Sequence, residues 1–163
     1  MTFTAQPVQL SIRSAVLADA AKITAVINAA FRIAEGFFID GNRITQTEVE
    51  QLLGKGVFLL AEAGDKLNGC VYVELRGEHS YLGLLSVDPT AQQTGLGSLL
   101  MFEAEKYCRE RGSNRMDILI VNLRQELPSF YQKRGYVESG TTPFPADVPT
   151  RIPCHFINMS KPL

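Results

Sequence analysis

Leu84-Leu85-Ser86-Val87-Asp88-Pro89, followed by Gln92-Gln93-Thr94-Gly95-Leu96-Gly97-Ser98, is the stretch on which the fold turns. Tyr81 to Val87 reads as a strand that ends at Asp88-Pro89, because proline cannot donate to a central ladder. A glycine-bearing loop then opens a helix with Leu96, Leu100, Ala104 and Tyr107/Cys108 on one side, stopped by Gly112. A helix start of this kind presents free N–H groups and a positive dipole end, a ready anion site. Gly95 and Gly97 let the backbone approach a phosphate without a side chain in the way, so a diphosphate is a natural guest. The same two glycines would also serve a tight strand-to-helix turn with no ligand. Two other nucleotide motifs fail on detail. A dinucleotide fingerprint needs a third small residue where Leu100 stands, and a P-loop needs a lysine that this loop lacks.

Working outward, Val8 to Ile12 alternates as a short strand. Asp19 precedes an i, i+3, i+4, i+7, i+8 stripe of Ile23, Val26, Ile27, Ala30 and Phe31, which predicts an amphipathic helix capped near Asp19. Arg32 to Ile44 is polar and aromatic, with Phe37 and Phe38 read as an exposed pair. Thr45-x-x-Glu48 predicts a capping box and a short helix through Leu53, closed by Gly54. Val57–Glu62 and Asn68–Leu75 read as strands joined by a hairpin turn at Gly64-Asp65. Met116–Val121 is a strand, Leu127–Arg134 a short helix ended by Gly135, and Tyr136–Ser139 opens another strand. A proline-rich surface loop, Pro143–Pro153, precedes a last strand at Cys154–Met159. The order β-α-α-β-β-β-α-β-α-β-β argues an α/β fold, a mixed sheet with helices on both faces.

The chain is 163 residues long, one domain spanning 1–163, with 45% hydrophobic and 20% charged residues. Sixteen basic residues against 17 acidic ones leave a net charge of -1, which gives no footprint for nucleic acid or anionic membrane. No apolar run approaches the roughly 18 residues of a membrane span, and Met1 to Gln9 has no signal-peptide pattern. Cys70, Cys108 and Cys154 are too scattered for zinc, so no metal is expected and the thiols read as free and inert in a reducing cytoplasm.

Gln92-x-x-Gly95-x-Gly97, after Leu85-Ser86-Val87-Asp88-Pro89, resembles the acyl-CoA-binding motif of the GNAT acetyltransferase superfamily. Phe130-Tyr131-Gln132-Lys133-Arg134-Gly135-Tyr136 resembles the second signature of that family, and the element order agrees. The resemblance implies a mixed, mostly antiparallel sheet of about seven strands. It also implies acetyl-CoA as co-substrate and transfer of its acetyl group to a primary amine of a small molecule or peptide by direct attack in a ternary complex. In that reading Leu85, Ser86 and Val87 lie along the pantetheine arm by strand addition. Gln92, Gln93, Thr94, Gly95, Leu96, Gly97 and Ser98 wrap the pyrophosphate. Relatives carry an asparagine six residues before the Phe-Tyr pair, where this chain has Arg124; Asn122 is expected to do that work.

An alkylamine is mostly protonated at pH 7, so it must lose a proton before it attacks, and the departing thiolate must gain one. The resemblance assigns the acid to Tyr131. Glu74, on a central-looking strand, is the expected base, weighed against Glu78, His79 and water alone. Phe31 and Phe38 are expected to touch the acceptor, within the specificity segments Phe31–Ile44 and Thr141–Pro153. A near-neutral chain argues against polycationic acceptors. A non-catalytic acyl-CoA sensor would keep the glycine loop without needing Tyr131. A free sheet edge leaves a homodimer open.

Overall fold

The computed structural model describes residues 9–92 and 94–163. Val8 and Gln93, both named above, lie outside those residues. The elements follow the predicted order: β1 (Leu10–Ser14), α1 (Ala20–Glu35), α2 (Gln46–Leu53), β2 (Val57–Ala63), β3 (Lys66–Arg76), β4 (His79–Val87), α3 (Leu96–Glu110), β5 (Arg115–Val121), α4 (Leu127–Gln132), β6 (Val137–Pro143) and β7 (His155–Pro162). They form one seven-stranded sheet in the order β1-β2-β3-β4-β5-β7-β6. All pairings are antiparallel except β4 with β5.

Strand alternation divides the core into two layers. Val71 and Val73 of β3 face α3, packing with Leu100, Met101, Ala104 and Cys108. Cys70 and Tyr72 face the other way, onto Ile23, Val26 and Ile27 of α1 and Val49 of α2. Ile23, Ile27, Val49 and Leu100 are each fully buried, worth about 1.5–3 kcal/mol per large side chain. The predicted helical stripe is therefore the buried face of α1.

Local signals are met with variations. Thr45 caps α2 by accepting from Glu48 N at 3.2 Å, but the glutamate bonds the threonine hydroxyl and not its backbone, so the box closes on one side only. Asp19 stands at the start of α1, yet its carboxylate accepts from Val16 N and from Arg13. Gly64 takes φ 61° in the two-residue hairpin between β2 and β3. Phe38 corrects the expectation of an exposed pair: Phe37 is 51% exposed, whereas Phe38 is fully buried and meets it edge-on. The strand expected to open at Tyr136 starts at Val137 and runs on to Pro143, while Tyr136 itself is buried with its hydroxyl donating to Glu105.

Two departures from a regular sheet make the site. The parallel pair β4–β5 holds only at His79–Arg115, Ser80–Met116 and Tyr81–Asp117. Beyond it the two strands run on without pairing, to Val87 and Val121, so the sheet splits. In addition, β4 carries a bulge. Cys70 opposes Ser86 and Tyr72 opposes Gly83, which leaves Leu84 and Leu85 facing the single Val71. Leu84 sits there at φ 54°, an unusual conformation for a bulky side chain. Among the described residues no helix is long and apolar enough to cross a membrane.

Candidate active site

The split between β4 and β5 opens into a cavity of about 540 Å³. Its walls come from the bulged end of β4, the far end of β5, the start of α3, the end of α1, α4, and the loop after β6. It thus passes through the sheet, from the α3 layer to the α1 layer.

At the α3 end, Gly95 takes φ 79° and hands the chain into the helix. A Cβ there would meet nothing within 4 Å, so the glycine is required by conformation and leaves open space at the first N–H groups. Gly97 differs: a Cβ would lie 3.9 Å from Phe130 and Val87, an ordinary contact. Leu96, Gly97, Ser98 and Gln92 line this end, with Leu85 and Val87 on the adjoining strand. The β5-facing edge of β4 from Leu82 to Val87 has no strand partner among the described residues, so its backbone groups are available for strand addition. Ser86 turns its buried side chain away and donates to Leu84 O, steadying the bulge. Thr94 bonds Ala91 O and does not reach the wall.

Arg134 is a residue the sequence reading missed. It lies over the Phe130 ring at 3.6 Å and donates to Ser98 Oγ, putting a cation beside the start of α3. The signal was its place inside the Phe130–Tyr136 signature.

Tyr131 lines the cavity from α4 while 6% exposed, packed edge-on against Phe130 at 5.1 Å and Tyr136 at 5.7 Å. Burial pushes its hydroxyl up to about 12, so it keeps its proton throughout the physiological range.

The α1 end holds a second group missed from sequence. Glu35, 6% exposed, receives Arg124 Nη1 at 3.2 Å across 89 residues of chain. Burial holds its carboxyl above the usual range, against the pull of Arg124 and Arg43. It is the one acid among the described residues lining this cavity. Arg124 also bonds Glu126 at 2.6 Å. Arg124 is on the wall. Asn122 is not: its side-chain oxygen accepts from His155 N at 2.9 Å, joining the end of β5 to β7.

Glu74 lies on the α1–α2 side of the sheet in a smaller neighbouring cavity of about 300 Å³. Its carboxylate accepts from Tyr72 Oη at 2.7 Å and Arg76 Nε at 3.0 Å, which hold it below the ordinary range. Arg43, Tyr81 and Leu84 are common to both cavities. Phe31 is on the wall of the larger one; Phe38 is absent from it, because its ring is consumed in the core. From the loop after β6, Phe144, Pro145 and Val148 complete the wall. That loop is tied to the chain after α1 by Arg151, which donates to Asp40 and Gly36 O, and by Arg151 N to Phe38 O at 2.8 Å.

The thiols stand apart from this chemistry. Cys70 is pushed up to about 12 by burial, Cys108 and Cys154 are also raised, and none lines the cavity. Among the described residues no group of three or more His, Cys, Asp or Glu is placed to hold a metal ion.

Residues 37–150, more than half of the chain, match the family model described as an acetyltransferase (GNAT) domain. The uncharacterised Bacillus subtilis protein YxbD is 36% identical over 53 residues, and that match spans about a third of each chain. Two solved structures share the fold over nearly their full length. The PaiA N-acetyltransferase of Thermoplasma acidophilum, in complex with coenzyme A, superposes with a TM-score of 0.79 at 18% identity, covering 95% of this chain and 99% of that one. Ard1 of Thermoplasma volcanium gives a TM-score of 0.78 at 18% identity, covering 94% and 97%.

Proposed function

The chain belongs to the GNAT acetyltransferase family, and from that premise we propose that it moves an acetyl group from acetyl-CoA to a primary amine by direct attack, with both substrates held in one cavity. One observation carries this reading. The cavity runs from the start of α3, past the unpaired edge of β4 and Tyr131, to Glu35 on the α1 side. Acetyl-CoA supplies the activated thioester, and the diphosphate belongs at Gly95–Ser98 beside Arg134. The backbone edge at Leu85 and Val87 holds the pantetheine arm extended toward the bulge.

In the proposed reaction the ammonium form of the acceptor loses two of its three protons and keeps one as the amide N–H, while the nitrogen bonds to the thioester carbon and the carbon–sulfur bond breaks. Tyr131 donates to the sulfur as it becomes negative. A phenol pushed up to about 12 is a much weaker acid than an ordinary thiol near 8.5, so its contribution is a strong hydrogen bond to the developing thiolate and not an early release of the proton. For the incoming proton two carboxylates compete. Glu35 is on the cavity wall with its pKa raised by burial, whereas Glu74 is in the side cavity with its pKa lowered by Tyr72 and Arg76. A base nearer neutrality accepts a proton more readily, so Glu35 takes that role ahead of Glu74.

The sign of the pH dependence follows. Glu35 acts when ionised, so the rate falls as pH drops through its raised pKa. Glu35→Gln is expected to remove that acid limb and lower kcat by about 10²-fold, whereas Glu74→Gln leaves the limb in place. Profiles of kcat against pH for the two variants decide between them. The reading as a whole is tested by thermal melts with acetyl-CoA, NAD and ATP, followed by thiol release against a panel of amines. Acetyl-CoA at about 100 Kd is expected to stabilise the fold by about 2.7 kcal/mol, with no shift from NAD or ATP. A shift with no turnover of any amine would leave a cofactor-binding module. No shift with acetyl-CoA would reduce the loop at Gly95 to a turn.

A further inference from the structure

Three arginines line the larger cavity, and they are not equivalent. Arg134 is committed at the phosphate end, over Phe130 and bonded to Ser98. Arg124 is committed to carboxylates, at 3.2 Å from Glu35 and 2.6 Å from Glu126. Arg43 has no carboxylate within 4.0 Å among the described residues. It lies over the Phe31 ring with its guanidinium carbon 5.5 Å from the centroid, and it borders both cavities beside Tyr81 and Leu84, near the bulge.

The acceptor half of the cavity therefore combines three features. One buried carboxylate, Glu35, faces it. One guanidinium, Arg43, makes no ion pair within 4.0 Å among the described residues, although its charge reaches Glu35. Between and around them the wall is aromatic and apolar, with Phe31, Tyr81, Phe144, Val148 and Phe156. Arg124 is shared between Glu35 and Glu126, so Arg43 is the guanidinium of this half with no ion pair among the described residues. A plain amine or a polycation would leave it so, whereas an acceptor that carries a carboxylate would supply the partner.

We propose that the acceptor is an amino acid with an apolar or aromatic side chain, its carboxylate received by Arg43, its amine turned toward Glu35 and its side chain packed on the aromatic wall. This deepens the acetyl-transfer reading and rests on it. The amino nitrogen, arriving as the ammonium, loses two protons, one to Glu35 and one that ends on the thiolate, as it bonds to the acetyl carbon and the carbon–sulfur bond breaks, giving an N-acetylamino acid and coenzyme A. A charge-assisted pairing of this kind selects for the carboxylate by about tenfold to a hundredfold.

The test uses matched acceptors that differ only in the carboxylate: L-phenylalanine against phenethylamine, and L-leucine against isoamylamine, with spermidine as a polycation. The full chain is assayed for thiol release at saturating acetyl-CoA. Each amino acid is expected to exceed its decarboxylated twin at least tenfold in kcat/KM, and spermidine is expected to be inactive. Arg43→Met keeps an unbranched side chain over Phe31; it is expected to raise KM for the amino acids at least tenfold and erase the preference, while Arg43→Lys restores part of it. Equal or faster turnover of the decarboxylated twins overturns the proposal, as does a loss in Arg43→Met that is the same for both members of a pair. If no amino acid is turned over while acetyl-CoA still shifts the melt, the acceptor assignment falls and the acetyl-CoA reading stands. If the shift is absent too, both fall.

Discussion

Gly95→Glu is expected to abolish acetyl-CoA binding while the chain still folds. At φ 79° a residue with a Cβ costs about 1–2 kcal/mol, yet the Cβ itself meets nothing within 4 Å. The new carboxylate lies at the positive end of α3, a favourable position worth about 0.3–1 kcal/mol, which offsets part of that strain. What it does to a diphosphate is larger. Like charges about 4 Å apart near a protein surface repel by about 4 kcal/mol, roughly a thousandfold in affinity for each phosphate charge engaged. Gly95→Asn separates charge from conformation, since asparagine tolerates the left-handed region and carries no charge. It is expected to bind within about tenfold of the parent. Calorimetric titration with acetyl-CoA, beside a melting curve for each variant, reads both effects. An undiminished affinity in Gly95→Glu would move the diphosphate away from α3.

Tyr131→Phe is expected to lower kcat by about 10²-fold with little change in acetyl-CoA affinity. The ring keeps its edge-on contacts with Phe130 and Tyr136, so packing survives the loss of the hydroxyl. What disappears is the hydroxyl proposed to donate to the sulfur. The hydroxyl donates its hydrogen bond while protonated, so in the parent its contribution fades only as pH rises through about 12. A basic limb at lower pH therefore belongs to another group. Single-turnover thiol release separates the chemical step from binding, and a parent-like rate in the variant would remove the Tyr131 hydroxyl from stabilisation of the thiolate.

The local signals in the chain were legible because their physics is local. The Ile23–Phe31 stripe has helical period and is the buried face of α1; Gly64-Asp65 is the hairpin turn; the run from Leu84 to Ser98 is the strand, turn and helix it reads as. The family resemblance rested on residues within two short windows, Leu85–Gly97 and Phe130–Tyr136, and the family match spans both. Errors arose where exposure was inferred from neighbours. Phe37 and Phe38 look alike in sequence, but only one can face out from the turn that follows α1, and the other fills the core.

The composition of the site came from pairings that no window contains. Glu35 and Arg124 lie 89 residues apart and meet because α1 ends over the gap where β5 leaves β4. Asn122 has the residue type expected of a ligand-binding group, but the neighbouring strand β7 claims its oxygen first. Leu84-Leu85 reads as plain strand; only the register against Val71 makes it a bulge and turns the chain at the cavity. Glu74 is held by Tyr72 and Arg76 on its own strand, which lowers the basicity its position suggested. Sequence by itself determined the elements, the layers they bury and the loop at Gly95, since periodicity, caps and glycine conformation act over a few residues. Tertiary structure decided which charges share a cavity, because that depends on where two strands stop pairing and on which partner reaches a side chain first.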